Sequence, residues 1–263
     1  MTKTAKIVAK DAISDLIAQH HLFRGCQAAE LAQVLDPAVL VSEKLYSSRP
    51  VFTAYRPETA LQFLYLIVGG GPIIVRSSPL DRIIALHYPG SCFGTESLAI
   101  GFGPISHGFP SLVEAYKTTD VLKIPLAVVQ RLYETLPAFR DRYNLLFELR
   151  EKFQYHLLNC STYPPQAVAA LFRALIYQER ELGNQPDKND IYTVDLPIDI
   201  IAHASQLNHR TVEQVLKGME QNNLIETARS GDRSGDMVKV LNAEGMKEVY
   251  STTRDKVAWW PLK

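Results

Sequence analysis

The sequence predicts an α+β chain in three parts: a β jelly roll behind short N-terminal helices, one long helix, and a winged helix–turn–helix. Three observations predict it. Short apolar runs separated by Gly, Pro, Ser and Asp recur between residues 39 and 124, which is the pattern of an all-β barrel or double-sheet roll. A heptad pattern follows through Phe139, Tyr143, Leu146, Arg150, Phe153 and Leu157, at alternating steps of four and three. Residues 196–226 then space their apolar positions as two short helices joined by a turn. The expected division is 1–125, 126–162 and 163–263.

Along the chain, Ile13, Leu16 and Ile17, then Leu22 and Phe23, suit a helical stripe, and Ala28, Ala29, Leu31 and Val34 suit a second short helix. Strands are expected at Val51–Tyr55, Phe63–Val68, Ile73–Val75, Ile83–Leu86, Ser111–Tyr116 and Val121–Ile124. Gly69, Gly70 and Gly71 invite a phosphate-loop reading, but Pro72 and another strand follow where a Gly-Lys-Ser/Thr ending and a helix are needed. A hairpin turn is expected there. Pro137 divides the next helical stretch into a short and a long helix. Leu145, Phe147 and Leu149 lie off the heptad seam. Two apolar stripes predict two contacts, the off-seam residues on the β domain and the seam across a homodimer axis. Tyr163-Pro164-Pro165 breaks the helix. A new one runs through Val168, Leu171, Phe172, Leu175 and Ile176, and residues 183–190 form a polar loop.

The 263 residues carry 28 Lys+Arg and 28 Asp+Glu and are 46% hydrophobic. Such balance argues for a folded chain with a sizeable core rather than a disordered one. Cys26, Cys92 and Cys160 have neither metal nor redox spacing. The start carries no apolar run of signal-peptide length, and nothing approaches the roughly 18–20 apolar residues of a membrane span. A cytoplasmic protein without a membrane partner is expected. No paired carboxylates, nucleophile elbow, metal-spaced cluster or phosphate loop suggests an enzyme or a metal site.

In the C-terminal region, the first short helix runs from about Ile198 to Ser205 and the turn is Gln206-Leu207-Asn208. Asn208 is a good N-cap for a second helix starting at His209. That helix would present His209, Arg210, Thr211, Glu213, Gln214 and Lys217 where base edges and phosphates are read. Leu224–Ala228, the polar loop Arg229–Asp236 and Met237–Leu241 form a β-hairpin wing.

Leu61–Gly69, Tyr88-Pro89-Gly90-Ser91-Cys92-Phe93-Gly94, Asn208–Val212 and Asn223-Leu224-Ile225 stand in an order and spacing that resembles the family of the cyclic-AMP receptor protein and the FNR regulator. The resemblance covers roughly residues 12–250. It implies a cyclic-nucleotide-binding-like β domain that senses a signal, and a homodimeric transcription regulator bound to double-stranded DNA. The chain departs from the cyclic-AMP pattern. Thr95 follows Gly94 where the family has Glu, and Glu96 comes one position late. Phe109 and Pro110 stand where an Arg and a Ser would hold the phosphate. A phosphate without a cationic partner leaves its desolvation uncompensated, so cyclic AMP is not the expected effector. Thr95, Glu96 and Ser97 remain the candidate sensor-pocket residues. Iron–sulfur chemistry of the FNR kind needs four cysteines and is disfavoured by three. His20 and His21 leave a haem open.

The wing carries Arg-x-x-Asp twice, at Arg229, Asp232, Arg233 and Asp236. Guanidinium and carboxylate pairs can hold guanine edges and phosphates, and the pattern resembles motifs that hold cyclic di-GMP. A solvated turn or a DNA contact explains the same residues. Residues 161–263 hold 12 Lys+Arg against 14 Asp+Glu, a net of −2. DNA affinity draws on phosphate neutralisation, so contact must rest on clustered cations such as Arg210, Lys217, Arg229, Arg233 and Lys239. The alternative is a receptor that works through another transcription regulator.

Overall fold

A computed structural model describes residues 12–54, 62–77, 81–95, 111–158, 163–227, 236–251, 257 and 259–260. The chain divides into two compact units. The first comprises 1–80 and 85–150; the second comprises 81–84 and 151–263. The division falls inside the long helix, at 150/151.

The first unit opens with helix α1 (residues 12–19), a 3-10 turn at His21–Phe23 and α2 (Ala28–Val34). The strands are β1 (Val41–Leu45), β2 (Pro50–Ala54), β3 (Phe63–Gly69), β4 (Ile73–Ser77), β5 (Arg82–His87, of which 82–84 group with the second unit), β6 (Cys92–Phe93), β7 (Ser111–Ala115) and β8 (Thr119–Pro125). They form two four-stranded sheets, β1-β8-β3-β6 and β2-β7-β4-β5. Their pairing is antiparallel wherever registers are defined, as in Val41 opposite Lys123 and Ile73 opposite Ala115. The double-sheet roll is thus as expected. The triple glycine, however, is not the turn of a hairpin: β3 and β4 belong to different sheets. Gly70 has φ +83°, and a Cβ there would collide with the Thr118 carbonyl oxygen. The Gly71 amide donates to Thr119 Oγ1 at 2.9 Å. Glycine is required because the backbone crosses close to the start of β8.

The helices continue with α3 (Leu126–Thr135) and α4 (Pro137–Leu158), separated near Pro137 as the sequence implied. The heptad seam of α4 is largely buried. Phe139, Tyr143, Leu146, Phe153 and Leu157 are all buried within one chain, and Arg150 is half-buried. Phe139 packs on Phe23 with ring centroids 5.5 Å apart, and Tyr143 meets Tyr133 edge-on at 5.4 Å. The Tyr143 hydroxyl donates to the Thr95 carbonyl at 3.2 Å. Much of the seam is thus covered within the protomer. Of the off-seam residues, Leu149 is buried, while Leu145 and Phe147 stay half-buried.

The second unit contains α5 (Pro164–Glu181), β9 (Tyr192–Asp195), α6 (Ile198–Ser205), α7 (His209–Gln221), β10 (Ile225–Thr227), β11 (Met237–Val240) and α8 (Ala243–Ser251). Pro164 and Pro165 sit in the first turn of α5, where a missing N–H costs nothing. Ten residues of α5, from Pro165 to Ile176, are buried. The wing is a three-stranded sheet, β10-β11-β9, with Val238 opposite both Thr227 and Val194. Cys26 and Cys92 are buried and not joined in a disulfide, and Cys160 lies outside the described residues.

Candidate nucleic-acid interface

The local sequence builds the helix–turn–helix in steps. Ile200, Ile201, Ala202 and Ala204 of α6 and Val212, Val215, Leu216 and Met219 of α7 are buried, a helical spacing on each helix. Between them Gln206 adopts a left-handed conformation, φ 57°, and Leu207 donates its amide to Ala202 at 3.1 Å. The Asn208 side chain accepts from the Thr211 amide at 2.9 Å, satisfying one of the orphan donors at the start of α7.

The outer face of α7 displays His209, Arg210, Glu213, Gln214 and Lys217, all exposed, with Thr211 half-buried. Two carboxylates at this surface were not picked out by sequence reasoning. Asp199 on α6 lies 3.2 Å from His209 Nε2. Glu220 accepts from the amide of Thr227 at 2.9 Å and also from its hydroxyl, tying β10 to α7. No sequence signal links either pair, because each spans two elements. Lys239 on β11, one of the expected cations, pairs with Glu226 at 2.9 Å. Arg229, Asp232 and Arg233 lie outside the described residues. Asp236 is half-buried, and its carbonyl accepts from the Leu196 amide at 2.7 Å.

Behind α7 sits the Trp259-Trp260 pair. Trp260 is buried, and the two rings meet at 88° with centroids 6.4 Å apart. A Cβ at Gly218 would collide with the Trp259 ring, so the glycine makes room for an indole on the inner side of α7. Gly218→Ala is expected to displace Trp259, seen as a red shift of tryptophan emission. An unshifted spectrum would show that the ring adapts in place.

Among the candidate sensor residues, Thr95 is buried; Glu96, Ser97, Phe109 and Pro110 lie outside the described residues. His20 and His21 are buried with each Nδ1 lacking a hydrogen-bond partner among the described residues. No group of three or more His, Cys, Asp or Glu side chains there could hold a metal ion. No described helix is long and apolar enough to cross a membrane.

Neither the known protein-family models nor the curated proteins give a match to the chain. Solved structures do. FixK2 from Bradyrhizobium japonicum aligns with a TM-score of 0.57 at 15% identity, covering 82% of this chain and 99% of that one. A CRP-family transcriptional regulator from Thermus thermophilus aligns at 0.50 with 18% identity, over 80% and 97%. The chain has the CRP/FNR regulator fold. A further structure of this fold, CLP of Xanthomonas campestris, described as a c-di-GMP responsive global regulator, aligns at 0.51 with 16% identity, over 82% and 100%. That fold joins a cyclic-nucleotide-binding-type domain to a C-terminal helix–turn–helix.

Proposed function

We propose that the chain is a homodimeric transcription regulator that binds double-stranded DNA through α7 and answers an effector other than cyclic AMP. The observation that carries this is the capped, amphipathic α7. Its inner face is committed to the core, and its outer face offers Arg210, Gln214 and Lys217, side chains suited to guanine, adenine and phosphate. Cyclic di-GMP is the proposed effector, on the strength of the doubled Arg-x-x-Asp of the wing and of the responsiveness stated for CLP. The test is a gel-shift against genomic fragments at moderate salt, with and without cyclic di-GMP. Arg210→Ala should weaken the specific shift by about 1–3 kcal/mol, roughly 5- to 150-fold. Absence of any sequence-dependent shift under both conditions would sink DNA reading.

A second reading is favoured by the carboxylates on the same surface. Asp199, Glu213 and Glu226 stand among the cations, and a basic patch on another regulator would fit them. Under that reading the chain binds a partner protein instead of an operator, and Glu213→Lys breaks the partner complex.

A further inference from the structure

The second unit holds a cavity of about 610 Å³ that the DNA-reading surface does not use. Three helices wall it. The last turns of α4 contribute Glu151, Lys152, Tyr155 and His156; α5 contributes Arg173 and Tyr177; α8 contributes Tyr250. Its origin lies in sequence: Ala170 and Ala174, four residues apart on α5, line it with methyl groups where larger side chains would close it. The volume falls within the range of small-molecule sites, about 300–1,000 Å³.

The chemistry of the lining is selective. Arg173 is half-buried, and its guanidinium carbon stands 4.5 Å from the centroid of the Tyr250 ring. No carboxylate of the described residues forms an ion pair with it. A guanidinium held over an aromatic ring can still offer N–H donors for bidentate contact with phosphate. Lys152 Nζ donates to the Tyr177 hydroxyl at 3.3 Å, which keeps a second cation at the cavity wall. Tyr155 is 66% exposed, a large aromatic ring left in solvent at the rim, and His156 meets it edge-on at 6.1 Å. Burial and the nearby Arg173 hold His156 below its usual range, so at neutral pH it is an uncharged hydrogen-bonding ring. Glu151 adds one acceptor for ring N–H groups. Two cations answer a phosphate, and the exposed Tyr155 ring answers a planar heterocycle, because stacking tolerates any flat π-system.

We propose that this three-helix cavity binds a nucleoside phosphate, its phosphate on Arg173 and Lys152 and its base against Tyr155. The proposal concerns binding by the protein alone and stands apart from DNA reading.

Isothermal titration of the full chain with GMP and with AMP tests it, with inorganic phosphate and guanosine as half-ligands. At least one of the two nucleotides should bind saturably, and each half-ligand at least about 10-fold more weakly, since one contact class is missing. Arg173→Gln should weaken the nucleotide about 10- to 100-fold, as expected for a lost charged contact. Tyr155→Ala, an exposed position where folding is not at stake, should weaken it about 5- to 150-fold if a base stacks there. Arg210→Ala on the reading helix should leave the affinity unchanged. No saturable heat with either nucleotide, or wild-type affinity in both the Arg173→Gln and Tyr155→Ala proteins, overturns the proposal. So does a wild-type dimer that Tyr155→Ala converts to monomer in light scattering, because the cavity would then be covered by a second copy.

Discussion

Phe153→Asp is expected to unfold the second unit of the chain rather than to separate a dimer into monomers. The ring is 3% exposed within a single protomer. Removing it forfeits about 3–5 kcal/mol by analogy with other buried Phe truncations. The incoming carboxylate adds several kcal/mol more, since it has lost water and gained no partner. Domain stabilities of about 5–15 kcal/mol leave little after such a loss. Circular dichroism against temperature should therefore show a collapsed or absent cooperative transition. The companion variant Tyr155→Asp lies on the same helix but at an exposed position, and it should melt within about 0.5 kcal/mol of wild type. A Phe153→Asp protein that stays fully folded, as a monomer, would put the seam back at a dimer axis.

The second large effect is acid lability of the first unit. Burial brings His20 down to about 4; burial, Arg24, His20 and Arg142, in that order, do the same to His21. Both Nδ1 atoms are sealed from solvent without a partner among the described residues, so a proton taken up there has nothing to compensate the lost hydration. Above about pH 6.5 both rings are neutral whether folded or unfolded, and stability is full. Between 6.5 and 4 only the unfolded chain takes up the protons, and stability falls as pH falls. The limit is about 3 kcal/mol for each ring, reached near pH 4. Urea midpoints measured from pH 7 to 4.5 should drop steadily, and less steeply when His20 and His21 are replaced by Gln. The difference between the two series removes the contribution of ordinary carboxylates. Parallel slopes would mean that these rings already share water in the folded state.

Much of the architecture could be read before any coordinates, because its signals are local. Asn208 marks the start of α7 through a hydrogen bond three residues long, and Val212, Val215, Leu216 and Met219 follow a helical period that needs no knowledge of the partner surface. What escaped was set by distant residues. A heptad stripe says that one face of α4 is buried, not which chain buries it; Phe23, far upstream, supplies some of the answer. Gly69–Gly71 marks a tight backbone path, but whether the next strand stays in the same sheet depends on β7 and β8. β6 has two residues and β1 leaves four of its five exposed, so neither produces an apolar run. The site behaved in the same way. The outward residues of α7 followed from its own period. The Asp199–His209 pair and the cavity lined by Arg173 and Tyr250 are assembled from separate helices.

The pairing of Lys239 with Glu226 has a consequence for discrimination. For a DNA reader, a carboxylate that already engages one of its cations is an internal competitor of every phosphate backbone it meets. Exposed pairs of this kind hold by at most about 1 kcal/mol, so a well-fitted site can exchange them cheaply, whereas a random stretch of duplex gains little by doing so. The loss falls mainly on indiscriminate affinity. Since a genome offers about 10⁶–10⁹ competing sites, the ratio of specific to non-specific binding decides occupancy. A nearly neutral reading surface would then trade grip for selectivity.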